Sequence, residues 1–200
     1  MTIKNIGFLA SHRGSNMQSI IDACANGRLQ AEPVVVISNN SDSGALDRAR
    51  QHGIPAYHIS SKHFPDPDSL DAEICNTLKK HNVDLVVLAG YMKKVGPHTL
   101  DAFKGRIINI HPALLPKYGG KGMYGSKVHE QVLASGDTET GVTIHIVTDG
   151  YDTGPILAQE KVPVGKDDTV ESLADRVIIT EHELYVTTIA RIISGEIPLR

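Results

Sequence analysis

The sequence predicts an α/β fold: a Rossmann-like, doubly wound, mostly parallel sheet with an antiparallel strand addition at one side. Three observations predict it. Through the first half of the chain, short apolar runs alternate with segments whose apolar residues recur at helical spacing, the pattern of βαβ units. Later, two strand-like runs follow one another across a turn, which adds an antiparallel pair. With 200 residues, 40% hydrophobic and 22% charged, the chain is long enough to bury a core and ordinary enough in composition to be globular. No repeat, linker or low-complexity tract divides it, so one domain over 1–200 is expected.

The elements follow in order. Ile3 to Ala10 reads as a buried strand, and Ser11 to Asn16 as a polar turn. Met17 to Ala25 is a helix, with Met17, Ile20, Ile21 and Cys24 on one face and Gly27 ending it. Pro33 to Ser38 is a β-branched strand, Ala45 to His52 a helix stopped by Gly53, and Pro55 to Ile59 a weaker strand. Pro65 and Pro67 punctuate a loop before a helix over Ser69 to His81. Asp84 to Ala89 is the clearest strand; Gly96 to Phe103 forms a short helix and Arg106 to Ile110 a fifth strand. Pro112 to Gly125 is irregular, and Ser126 to Ala134 is helical. Thr143 to Thr148 and Pro155 to Pro163 make the late strand pair. A terminal helix runs from Thr169 to Ile193, with Asp168 or Thr169 as its N-cap.

Composition excludes several classes. Twenty Lys and Arg against 23 Asp and Glu leave a net charge of −3, which gives no overall attraction to a nucleic-acid backbone. Six Tyr, three Phe and no Trp make a poor stacking platform for single strands. Cys24 and Cys75 cannot build a disulfide framework or a multi-thiolate zinc site, and the ten His show no trusted ligand spacing, so no metal is expected. No run approaches the roughly 20 apolar residues of a membrane span, and the chain enters a strand without a secretory leader; a cytoplasmic protein follows.

In an open α/β sheet, ligands bind beyond the carboxyl ends of the strands. Four loops there carry chemistry. Ser11 to Asn16 opens a helix whose free N–H groups and positive end suit a phosphate; Gly14 permits close approach, Ser15 and Asn16 add donors, and Arg13 adds charge. An ordinary capped βα turn explains the same segment equally well. It is neither a Walker A loop nor a three-glycine dinucleotide fingerprint. Asn109 and His111, two apart on a strand, project together while Ile110 points to the core, and Pro112 keeps His111 extended. Asp149 to Pro155 holds two carboxylates, Asp149 and Asp152, and by itself reads as a turn; its interest is that such a loop could place a carboxylate beside His111. Gly119 to Met123 is flexible and basic, a lid or a surface loop. Glu181 and His182 lie on the terminal helix, where a solvated face is the default.

The run Asn109-Ile110-His111-Pro112-Ala113-Leu114-Leu115-Pro116, with Asp152 in the later loop, resembles the folate-dependent formyltransferases. Gly14-Ser15-Asn16, Leu88-Ala89-Gly90-Tyr91-Met92 and Glu181-His182 fall in the order of that family, so the resemblance spans nearly the whole chain. It implies the formyltransferase fold. It also implies transfer of the formyl group of 10-formyltetrahydrofolate to the amine of 5-phosphoribosylglycinamide, in purine biosynthesis, with small-molecule partners only and a monomer or homodimer. On that reading Asn109, His111 and Asp152 are catalytic. Arg13, Gly14, Ser15, Asn16 and Glu181 hold the ribonucleotide. Met92, Lys93, Lys94, Val95, Asn109, Thr148, Asp149, Gly150, Tyr151 and Asp152 line the folate pocket. A carboxylate beside an imidazole typically raises its pKa by about 1–3 units, so Asp152 is expected to keep His111 as imidazolium.

The chain departs from the family pattern at Ser11-His12-Arg13, which lacks an early glycine, at Ile178, where a Gln is usual, and at Pro67, where a basic residue is usual and Lys62 is the nearby substitute. Two other readings compete: a formyltransferase acting on an amino-sugar nucleotide, and a non-catalytic phosphate-ligand binding module.

Overall fold

The computed structural model describes residues 3–199; Met1, Thr2 and Arg200, at the ends of the expected domain, lie outside the described residues. Among the described residues, seven strands form one sheet: β1 (Asn5–Ala10), β2 (Glu32–Ser38), β3 (Ala56–His58), β4 (Leu85–Leu88), β5 (Ile107–His111), β6 (Glu139–Ile146) and β7 (Ile156–Pro163). Their order is β3-β2-β1-β4-β5-β6-β7. The first five are parallel, while β6 runs antiparallel to β5 and β7 antiparallel to β6. The doubly wound, mostly parallel sheet with an antiparallel addition is therefore what the chain adopts. The order reverses between β1 and β4, which opens a crevice at their carboxyl ends.

Among the described residues six helices flank the sheet: α1 (Ser15–Ala25), α2 (Gly44–Gln51), α3 (Pro67–Lys80), α4 (Pro97–Ala102), α5 (Ser126–Ser135) and α6 (Val170–Ile193). Strand alternation sorts the side chains into two cores. Ile6, Phe8 and Ala10 of β1, with Ile108 and Ile110 of β5, are buried with Ile20, Leu46, Val132 and Tyr185 from α1, α2, α5 and α6. Leu9, Val86, Leu88 and Ile107 face the other way, against Ile74 and Leu78 of α3 and Phe103 just after α4. Asn109 and His111 share that second face, but lie further along β5 than Ile107, the strand's residue in the helix-covered core.

Several boundaries differ from the sequence expectation for identifiable reasons. Helix α1 starts at Ser15, two residues early, because Gly14 takes the N-cap position in a left-handed conformation (φ 71°) with no side-chain cap. Neither Ser15 nor Asn16 is a cap; both lie in the first helical turn. A Cβ at Gly14 would sit 2.9 Å from the Ala45 Cβ, so only glycine fits. Pro67 is not in a loop but opens α3, where its missing N–H costs nothing, and Asp66 caps the helix by accepting from Ser69 N–H at 2.9 Å. Strand β6 starts at Glu139 rather than Thr143, since pairing with β7 extends from Glu139↔Pro163. Of the two cap candidates for α6, Thr169 caps it in a reciprocal box with Ser172. Among the described residues no helix is long and apolar enough to cross a membrane.

Candidate active site

The pairing of β5 with β6 sets the centre of the site. Asn109 lies opposite His145 and His111 opposite Thr143. Val142, Ile144 and Ile146 fill the core on the other face, so Thr143 and His145 join Asn109 and His111. The loop after β6 returns Asp152 over this row. Asp152 is held at φ 53°, a left-handed conformation that Asp tolerates better than most residues. The following Gly154 packs so tightly that a Cβ would lie 1.8 Å from the Ile146 carbonyl, which pins the loop to the strand end.

A row of four side chains results, His111–Asp152–His145–Asn109. The Asp152 carboxylate lies 3.6 Å from His111 Nδ1 and 3.5 Å from His145 Nε2. The Asn109 amide nitrogen is 3.2 Å from His145 Nε2. His145 Nδ1–H donates to the Ile146 carbonyl at 2.9 Å; the Asn109 amide carries two N–H groups, so its one contact with His145 leaves the second free. His111 Nε2–H donates to the Tyr118 carbonyl at 2.7 Å. The Gly120 N–H donates to Asp152 Oδ2 at 2.9 Å, making the glycine-rich segment part of the site. The structure thus brings Asn109, His111 and Asp152 together. His145, Gly120 and the Tyr118 carbonyl are the members that sequence reasoning missed. His145 had a signal: it is polar and in register with buried Val142, Ile144 and Ile146, but on the opposite parity.

The electrostatics correct one expectation. Burial pulls the His111 pKa below the ordinary imidazole value, with His145 adding to the effect; the attraction of Asp152 and the hydrogen bond to Tyr118 oppose it without cancelling it. His111 is only 3% exposed, and desolvation of the charged ring outweighs a carboxylate 3.6 Å away. The resting ring is therefore neutral at neutral pH, not imidazolium. Burial pushes the Asp152 carboxyl up, but the polar contact with His145, the hydrogen bond from Gly120 and the nearby imidazoles hold it below the ordinary value. A neutral base thus faces an ionised carboxylate.

The loop after β1 forms a second centre. Gly14, Ser15 and Asn16 stand at the N-terminus of α1, and Arg13 beside them is exposed. Ser11 fixes this turn to its neighbours: its N–H donates to the Gly90 carbonyl at 3.1 Å, and its hydroxyl donates to Asn39 and accepts from the Met92 N–H. Glu181 is not on a solvated face. It is 7% exposed and accepts from the Asn16 amide at 2.8 Å, on the buried α6 stripe of Leu173, Val177 and Tyr185. Burial pushes its carboxyl up to about 7 from 4.5, the Asn16 bond opposing. Folding therefore favours the protonated form, a contribution present below pH 4.5 and lost as pH rises through about 7. Glu181→Gln imitates that form and is expected to raise the Tm of the free protein by several degrees at pH 8 and to change it little at pH 4, read by calorimetry.

The loops after β4 and β6 form the third part. Met92, Lys93 and Lys94 are exposed and Val95 is buried; Thr148, Asp149, Gly150 and Tyr151 are exposed. Lys94 pairs with Asp149 at 2.6 Å, bridging the two loops. Beside them opens a cleft of about 1170 Å³ lined in part by Lys62, Pro67, Lys93, Val95 and Asp149. Lys62 and Pro67 thus both line it. The trio of Asn109, His111 and Asp152 lies outside this cleft's lining.

A doubly wound sheet thus carries a polar cluster beyond β5, a helix N-terminus beyond β1 and a cleft beside the loops after β4 and β6. The chain belongs to the formyl transferase family, whose model matches residues 4–189. Among its relatives is the chloroplastic phosphoribosylglycinamide formyltransferase of Arabidopsis thaliana, 43% identical over 98% of this chain and 68% of that protein. The phosphoribosylglycinamide formyltransferase of Escherichia coli K12 is 38% identical over 98% of this chain and 90% of its own length. Coverage falls to 60% of the chloroplastic relative from Vigna unguiculata. The crystal structure of glycinamide ribonucleotide transformylase 1 from Symbiobacterium toebii superposes with a TM-score of 0.93 at 40% identity, covering 99% of this chain and 91% of that one.

Proposed function

We propose that this chain, acting as one domain over 1–200, transfers the formyl group of 10-formyltetrahydrofolate to the amine of 5-phosphoribosylglycinamide, a step of purine biosynthesis. One observation carries the reading: a neutral imidazole, an ionised carboxylate and an amide with a free N–H converge at the carboxyl end of β5, one loop away from a turn suited to a phosphate. The relatives named above support it.

In the proposed reaction the substrate amine attacks the formyl carbon, a new C–N bond forms, and the bond from that carbon to N10 of the folate breaks. The proton lost by the amine ends on N10. The formyl oxygen gains negative charge on the way, and the free N–H of Asn109 is the donor aimed at it. Because His111 rests neutral, it accepts the amine proton rather than supplying one at the start. The resulting imidazolium is stabilised by Asp152 and returns the proton to N10. Gly14, Ser15, Asn16 and Arg13 hold the phosphate, with Glu181 on the ribose. The loops at Met92–Val95 and Thr148–Asp152 hold the folate.

The test is an absorbance assay of deformylated folate with and without glycinamide ribonucleotide. Turnover that requires the ribonucleotide is expected. Turnover without it would identify a hydrolase. Turnover only with an amino-sugar nucleotide, or phosphate-ligand binding without turnover, would select the other readings.

A further inference from the structure

Of the non-glycine residues with a left-handed backbone among those described, two belong to the site: Asp152, and Tyr118 at φ 59°. For Asp this conformation is tolerable; for a residue as large as Tyr it is strained and persists only where neighbours enforce it. The neighbours here are identifiable. The Tyr118 hydroxyl donates to Asp137 Oδ2 at 2.6 Å and contacts the Ser135 hydroxyl just before it. Lys117 pairs with the same carboxylate, and its ammonium lies 5.0 Å from the centre of the Tyr118 ring. The side chain is thus fastened to the end of α5 and the residues after it. The main-chain carbonyl of the same residue accepts from His111 Nε2 at 2.7 Å.

An imidazole with one nitrogen bonded to a carbonyl must carry its proton on that nitrogen. Nδ1, which faces Asp152, is then the nitrogen that titrates. The opposite tautomer would set a lone pair against a carbonyl oxygen and leave Nδ1 unable to accept.

We propose that Tyr118 is a positioning residue: its phenol, clamped by Asp137 and Ser135, holds its carbonyl against His111 Nε2 and so reserves Nδ1 as the nitrogen that takes the proton from the substrate amine and returns it to the departing folate nitrogen. The inference rests on the proposed role of His111. Tyr118 touches neither substrate; it acts through the tautomer.

The test joins spectroscopy to kinetics. The side-chain 15N resonances of His111, assigned by their loss in His111→Gln, report the tautomer without reference to turnover. The native protein is expected to show a pyrrole-type Nε2 and a pyridine-type Nδ1. Tyr118→Phe removes only the hydroxyl, and Asp137→Ala removes its acceptor; each is expected to give averaged nitrogens, a kcat lower by about tenfold, the scale of one lost hydrogen bond, and a KM for the ribonucleotide within about twofold of native. Unchanged nitrogen shifts in both variants would overturn the proposal whatever the rates. Averaged shifts with native kcat would overturn it too, because the tautomer would then not matter. Failure of the underlying reading is visible separately, as native turnover in His111→Ala.

Discussion

His111→Ala is expected to lower kcat by at least about 10²-fold while leaving the KM for both substrates within a few-fold, measured by steady-state formyl transfer. The ring is buried, neutral at rest, and fixed by a carbonyl on one side and a carboxylate on the other. It contributes nothing to substrate affinity on the proposed path, so its loss falls on the barrier, and a positioned general base is worth about 10²–10⁴. The pH profile carries a further sign. His111 accepts a proton only when neutral, and burial holds its pKa below the ordinary 6.5, so the acid limb of kcat/KM is expected below that value.

Asp152→Asn is expected to cost a similar factor, at least about 10²-fold in kcat. Asn retains the shape and tolerates the positive φ at this position, so the loss reports charge rather than folding. The carboxylate stabilises the imidazolium that forms once His111 has taken its proton. Its attraction also raises the resting His111 pKa, so removing it is expected to move the acid limb further down. An acid limb that rises in Asp152→Asn would contradict the electrostatic assignment.

How much of this was legible follows from which interactions are local. Strand parity alone put Asn109 and His111 side by side, because alternation along β5 needs only neighbouring residues. The sheet class was equally local, carried by β-branched runs such as Val34 to Ile37. Asp152 was visible only as a carboxylate in a turn; its approach to His111 depends on the path from β6 into β7. His145 was hidden by register: its place opposite Asn109 is a long-range pairing. Gly120 and Tyr118 act through a main-chain N–H and C=O, which no side-chain pattern announces. A charged residue on a long helix is expected to face solvent, yet Glu181 lies four residues from both Val177 and Tyr185, on the apolar stripe of its helix. The depressed His111 pKa could not be read at all, since it depends on how completely the fold removes water from that ring.

The account's central claim is that His111 and Asp152 work as one unit in moving a single proton. The most direct measurement is a double-mutant cycle in kcat over native, His111→Ala, Asp152→Asn and the double variant. The double variant is predicted to lose no more than about threefold beyond the worse single, because the second substitution removes a partner already idle. Independent losses that multiply, to about 10⁴-fold or more if each single costs 10², would contradict it.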